Sequence, residues 1–122
     1  MGDRVKFIEH KGQKIIYLDF SNMHGENLVH LVHEFEQLIM RNKDNARLVS
    51  LTNFTGSHIY GDSLKEIKQV AKRVRPYLYR RAVIGITGAK MVLYKMVNFF
   101  AGGTPTKLFV SIEEAKDYLT EA

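Results

Sequence analysis

The sequence predicts an α/β fold, a small mixed and mostly parallel sheet of four to five strands with flanking helices. Three observations predict it. Strand-like and helix-like patterns alternate in the order β-β-α-β-α-β-α-β-α along the 122 residues. The run Ala82-Val83-Ile84-Gly85-Ile86 is almost continuously apolar, as a strand buried on both faces must be. The first two strand patterns are separated only by Lys11-Gly12, whereas each later pair is separated by a helix pattern. A two-residue link makes an antiparallel hairpin; a helical link makes parallel neighbours with right-handed crossovers. The antiparallel strand therefore belongs at the N-terminal edge.

Val5 to Glu9 and Gln13 to Phe20 supply the hairpin strands, the second centred on Ile15-Ile16-Tyr17-Leu18. Gly12 provides the positive φ that the turn requires. From Glu26 to Arg41, Leu28, Leu31, Val32, Phe35, Leu38 and Ile39 recur at spacings of three and four, one apolar stripe on a helix. Arg47 to Asn53 alternates as a third strand. Ser63-Leu64-Lys65-Glu66 has the spacing of a capping box, opening a helix through Ile67, Val70 and Val74 that Pro76 ends near Arg75. After the strand Ala82–Ile86, a helix from Ala89 to Ala101 is closed by Gly102-Gly103 and Pro105. Lys107 to Val110 is the last strand. Ser111-Ile112-Glu113-Glu114 is a second capping box and opens a short C-terminal helix.

Composition narrows the function classes. Apolar residues make up 45% and charged residues 25%, a globular balance that fits one domain over 1–122. Cysteine is absent, which excludes disulfide scaffolds, thiolate zinc sites and cysteine nucleophiles. No apolar run approaches the roughly 20 residues of a membrane span, and the first residues lack the apolar core of a signal peptide. A cytoplasmic protein is the expectation.

The net charge of +5 is unevenly placed. Residues 1–60 carry seven charges of each sign, residues 61–110 ten basic against two acidic, and residues 111–122 one basic against four acidic. Lys65, Lys68, Lys72 and Arg75 fall on one side of the second helix, with Arg80 and Arg81 beyond Pro76. Such a basic stripe suits an acidic protein or an anionic lipid surface, and is also what a solvated helix face looks like. Nucleic acid is not expected, because no recognition motif accompanies the charge.

Three segments carry a family resemblance. They are Tyr17-Leu18-Asp19-Phe20-Ser21-Asn22, the stretch Arg80-Arg81-Ala82-Val83-Ile84-Gly85-Ile86-Thr87-Gly88, and the ending from Leu108-Phe109-Val110-Ser111 through Glu113-Glu114-Ala115 to Tyr118-Leu119. Together they resemble the STAS-like proteins, single-domain bacterial and archaeal relatives of anti-sigma-factor antagonists, over nearly the whole chain. The resemblance implies a sheet of four or five strands with flanking helices, and regulatory protein binding rather than catalysis. In the antagonists a partner kinase modifies a serine between the third strand and second helix, within an Asp-Ser-Ser-Gly-type motif. Here that stretch runs Thr52-Asn53-Phe54-Thr55-Gly56-Ser57-His58-Ile59-Tyr60-Gly61-Asp62-Ser63 and lacks the motif. Ser57 and Ser63 lie in the region without matching the modified serine.

Candidate sites follow from these placements. Ligands of open parallel sheets gather beyond the carboxyl ends of the strands, where Ser21, Asn22, Asn53, Thr55, Thr87 and Ser111 would stand; the same residue types close turns and cap helices. Asn53, Thr55, Ser57 and Ser63 are the candidate partner-binding or modulated positions. Met91 and Tyr94 fall beside Lys90 and Lys95, away from the apolar side of their helix, an exposed patch for a second copy of the chain or for an anionic lipid surface. Binding of lipid or another apolar ligand is the alternative function. His30, His33 and Glu34 have helical spacing without a metalloprotease pattern, and Gly85-Ile86-Thr87-Gly88 lacks the spacing of known phosphate loops. No metal, cofactor or enzymatic activity is expected.

Overall fold

The computed structural model describes residues 4–87, 91 and 106–121. Two edge-to-edge strands, β1 (Val5–His10) and β2 (Gln13–Asp19), pair antiparallel with His10 opposite Gln13. Lys11 and Gly12 both adopt positive φ, 52° and 76°, the two left-handed positions of a type I′ turn. The glycine takes its conformation without strain, while Lys11 holds its own with its ammonium 3.1 Å from Asp117.

Helix α1 (Asn27–Arg41) leads to β3 (Val49–Asn53), α2 (Gly61–Val74) and a single 3₁₀ turn (Arg75–Tyr77) to β4 (Arg80–Ile84). Then come β5 (Lys107–Phe109) and α3 (Ile112–Leu119). The sheet order is β1-β2-β3-β4-β5, with β2 through β5 parallel. The fold is thus α/β with a five-stranded mixed sheet. Of the expected helix over Ala89–Ala101 only Met91 is among the described residues; the rest, its glycine-proline stop and Tyr94 lie outside them.

Alternation along each strand divides the core into two. On one side Ile16 and Leu18 meet Leu28, Leu31, Val32, Phe35 and Ile39 of α1 and Ile67, Val70 and Val74 of α2. On the other, Ile15, Val49, Leu51, Ala82 and Ile84 meet Ala115 and Leu119 of α3. The apolar stripe of α1 predicted from spacing is the buried one, apart from half-buried Leu38. The double core explains why β2 and β4 read as nearly unbroken apolar runs.

Two boundaries differ from the sequence expectation for local reasons. Helix α2 starts at Gly61 rather than at Ser63. Gly61 has φ 55° and Tyr60 is the N-cap, so Ser63 occupies the third helical position. Its Oγ accepts from the Tyr60 N–H at 3.3 Å and donates to the Tyr60 carbonyl at 2.7 Å. The predicted Ser63–Glu66 box does not form; the Glu66 carboxylate instead lies 3.0 Å from His33 of α1. Strand β4 stops at Ile84 because Gly85 turns to φ 81°. By contrast Ser111 caps α3 as expected, its Oγ accepting from the Glu114 N–H at 3.2 Å and donating to the Glu114 carboxylate at 3.3 Å.

Candidate functional site

The carboxyl ends of β2, β3 and β4 continue into one hydrogen-bonded border. Phe20 N–H donates to Asn53 O at 2.9 Å, Asn22 N–H to Thr55 O at 2.8 Å and Phe54 N–H to Ile84 O at 2.9 Å. The two loops stay in register further on, with His58 N–H on Met23 O and Gly25 N–H on His58 O. Glycine is demanded where they touch: a Cβ on Gly85 would sit 2.3 Å from the Thr55 backbone nitrogen. Strand-exit side chains close these loops. Asp19 accepts from Ser21 N–H at 2.9 Å, and Asn53 accepts from Thr55 N–H at 3.0 Å while donating to the Tyr17 hydroxyl at 3.0 Å.

Of the four candidate partner-binding or modulated residues, Thr55 is exposed and Asn53 is half-buried. Ser57 and Ser63 are only 2% and 1% exposed. The Ser57 hydroxyl donates to Phe54 O at 2.8 Å, and Ser63 bonds Tyr60 as described above. These two hydroxyls serve the loop and the helix start, and a modifying enzyme has no access to either while the segment is folded. That corrects their assignment as modulated positions. Ser57 and His58 also face different partners, since the His58 ring packs edge-on against His24 with centroids 4.7 Å apart. This exposed histidine pair, joined by a parallel bridge, had no signal in the sequence, where 33 residues intervene.

The basic stripe resolves into three parts. Lys65 and Lys72 are exposed on α2, with Lys68 and Arg75 half-buried. Arg80 and Arg81 are consecutive on β4 and so project to opposite faces. Arg80 belongs to the α3 side, where it donates to Tyr118 O at 2.8 Å and Glu121 O at 3.1 Å and stacks between Tyr79 and Tyr118. It ties the carbonyl end of α3 to the sheet, and its place in the stripe is corrected accordingly. Arg81 turns to the α2 side and is 8% exposed. Loss of hydration, and next the like charge of Arg75, hold its guanidinium below the ordinary arginine range. The Arg75 Nε is buried without a hydrogen-bond partner among the described residues.

Arg81 stands in the wall of a cavity that the sequence did not disclose. The space, about 100 Å³, lies on the α1/α2 side of the sheet. Phe20, Phe54, Ile59, Leu64, Ile67 and Ile86 are among its apolar walls, and Ser50, Thr52 and Thr106 add hydroxyls. Among the described residues of the wall, Arg81 is the one further polar side chain.

The remaining candidates fall into structural roles. His33 lies between Glu66 at 3.0 Å and Glu36 at 3.8 Å. Arg73 donates to both oxygens of Glu36, at 2.6 and 2.9 Å, completing an ion network between α1 and α2. His30 is exposed and takes no part in it. Among the described residues no group of three or more histidine, aspartate and glutamate side chains is arranged to hold a metal. Met91 is half-buried, and Tyr94, its companion in the proposed patch, lies outside the described residues. No helix among those residues is long and apolar enough to cross a membrane.

No family model, curated protein or solved structure matches the chain.

Proposed function

We propose that the chain is a non-enzymatic binding module that takes a small apolar ligand in the cavity between α2 and the sheet. The observation that carries this reading is the make-up of the cavity wall, which among the described residues is apolar apart from three hydroxyl side chains and one guanidinium. Apolar walls with a few placed polar groups are the usual build of a small-molecule site. A five-stranded sheet with flanking helices is also what the STAS-like resemblance implies, and that resemblance favours a regulatory rather than catalytic role. The separate engagements of Ser57 and His58 support the same conclusion.

The test is a titration with octan-1-ol, a neutral apolar probe, followed by amide shifts. Saturable shifts are expected at Ile67, Val70 and Val83, and their loss is expected in Ala71→Phe, which places a ring into the wall. Shifts spread over the surface, or undiminished in Ala71→Phe, would overturn the reading.

A second reading, a protein partner at the strand exits, is favoured by Tyr60, a large side chain 61% exposed beside exposed His58. Its signature would be a partner whose affinity falls in Tyr60→Ala while octan-1-ol binding is retained.

A further inference from the structure

Two histidine rings meet at the strand-exit border. His24 follows β2, His58 follows β3, and both are exposed. Their loops form a parallel bridge at these two residues, and the ring centroids stand 4.7 Å apart. The backbone fixes the arrangement. His58 N–H donates to Met23 O at 2.9 Å and Gly25 N–H to His58 O at 3.0 Å. The rings themselves are unspent. His10 and His33 direct ring nitrogens at carboxylates, Asp117 at 2.7 Å and Glu66 at 3.0 Å. Among the described residues no hydrogen bond or ion pair engages the rings of His24 and His58, which meet each other instead.

The ring separation matches shared ligation of one cation. A metal–nitrogen bond of about 2.0–2.1 Å places each ring centre roughly 3.2 Å from the ion. Two rings at a right angle then have centres about 4.5 Å apart, and at the tetrahedral angle about 5.2 Å. The observed 4.7 Å is nearer the right angle, which neighbouring positions of a tetragonal ion subtend, the geometry of Ni²⁺ and Cu²⁺. Histidine χ2 is a broad torsion, so these exposed rings can turn from their edge-on tilt without moving the backbone.

Local charge also suits a cation. The chain carries +5, yet residues 15–40 and 48–64, which hold the two histidines, contain no lysine or arginine. They contain Asp19, Glu26, Glu34, Glu36 and Asp62. Arg4 reaches the base of the first loop, where it donates to the carbonyls of Asp19 and Ser21 at 3.1 and 3.0 Å.

We propose that His24 and His58 together bind one divalent cation of the imidazole-preferring class, Ni²⁺ or Cu²⁺. One nitrogen of each ring is a ligand, and water fills the remaining positions. Two protein ligands hold an ion less firmly than the three or four of resident zinc centres, so the ion exchanges with solution. The pair is no part of the cavity wall, and this inference does not rest on the cavity reading.

The test titrates Ni²⁺ into the full chain, free of any histidine tag, and into His24→Gln, His58→Gln and His30→Gln. One saturable equivalent is expected for the wild-type chain, undisturbed by about a hundredfold excess of Mg²⁺, a cation that prefers oxygen ligands. Each of His24→Gln and His58→Gln should lower the affinity roughly tenfold or more, because the second ligand no longer acts at high effective concentration. His30→Gln should leave the affinity unchanged. Paramagnetic broadening by Ni²⁺ should centre on the amides of residues 22–25 and 56–60 in the wild-type chain. Absence of saturable binding would overturn the proposal. So would an affinity that survives either substitution, or broadening centred on His10, His30 or His33. Thermal melting without metal establishes that each variant is folded; where one is not, the broadening map of the wild-type chain decides.

Discussion

Replacing Gly85 with alanine tests the contact on which the strand-exit border depends. Two penalties act at that position. Its φ of 81° is one that a residue with a Cβ adopts at a cost of roughly 1–3 kcal/mol. The new Cβ would also lie 2.3 Å from the Thr55 nitrogen, 2.6 Å from its Oγ1 and 2.7 Å from its Cα. Two of these three are backbone atoms already fixed by the Asn53 side chain and the Asn22 N–H, so a rotamer change cannot relieve them. Overpacking of this kind costs about 1–3 kcal/mol. Together the loss is about 2–6 kcal/mol, against a typical domain stability of about 5–15 kcal/mol. Gly12 supplies the control: its φ is 76°, and a Cβ there would meet nothing within 4 Å. Gly12→Ala therefore carries the backbone penalty alone. Urea unfolding of both variants separates the two contributions, and a denaturation midpoint should fall further in Gly85→Ala by about 1 M or more. Equal midpoints for the two variants would refute the close approach of the loops.

Two further perturbations probe the supports of the sheet. Arg80→Met should release the carbonyl end of α3 and destabilise the fold by about 1–3 kcal/mol, the range for hydrogen bonds from a charged group; amide exchange should rise first in Ala115 to Leu119, and uniform protection would contradict the clamp. The hydrogen bond from Arg73, and then its charge, hold the Glu36 carboxyl below its ordinary 4.5. The sign follows: the folded state favours the carboxylate, so its contribution is complete above the unfolded value and disappears as pH falls through the lower folded value. Because the Arg73 side of the pair is open to solvent, 48% exposed, the effect should be about 1 kcal/mol or less, seen as an acid limb in a stability–pH profile that Glu36→Gln flattens.

Much of the architecture was legible because it is written in short-range patterns. Lys11-Gly12 announces a turn within two residues, and the α1 stripe repeats within each helical turn. Ser111 and Glu114 cap α3 from three residues apart. What escaped depends on distance along the chain or on space. Gly61 and Tyr60 together moved the start of α2, displacing Ser63 from the surface to a buried helical position. The period of two in a strand separates Arg80 from Arg81, yet only the presence of α3 on one face and α2 on the other gives the pair unlike roles. His24 reaches His58, and Asn22 reaches Thr55, through loop pairing that no local motif encodes. The cavity is space left over by packing, and no residue pattern specifies a volume.

The spatial order of the strands repeats their order in the chain, and this bears on how the protein is made. During translation each strand emerges to find its neighbour already laid down, so the growing sheet extends from one margin and no later strand has to be inserted between earlier ones. Helices α1 and α2 are synthesised between the strands they bridge and can settle on the platform as it widens. Contacts close over modest sequence separations, which favours rapid folding among mixed α/β domains. Among the described elements, the other side of the platform is covered by α3, which follows β5. The helix made after β5 is the one that covers the Ile15, Leu51 and Ile84 surface.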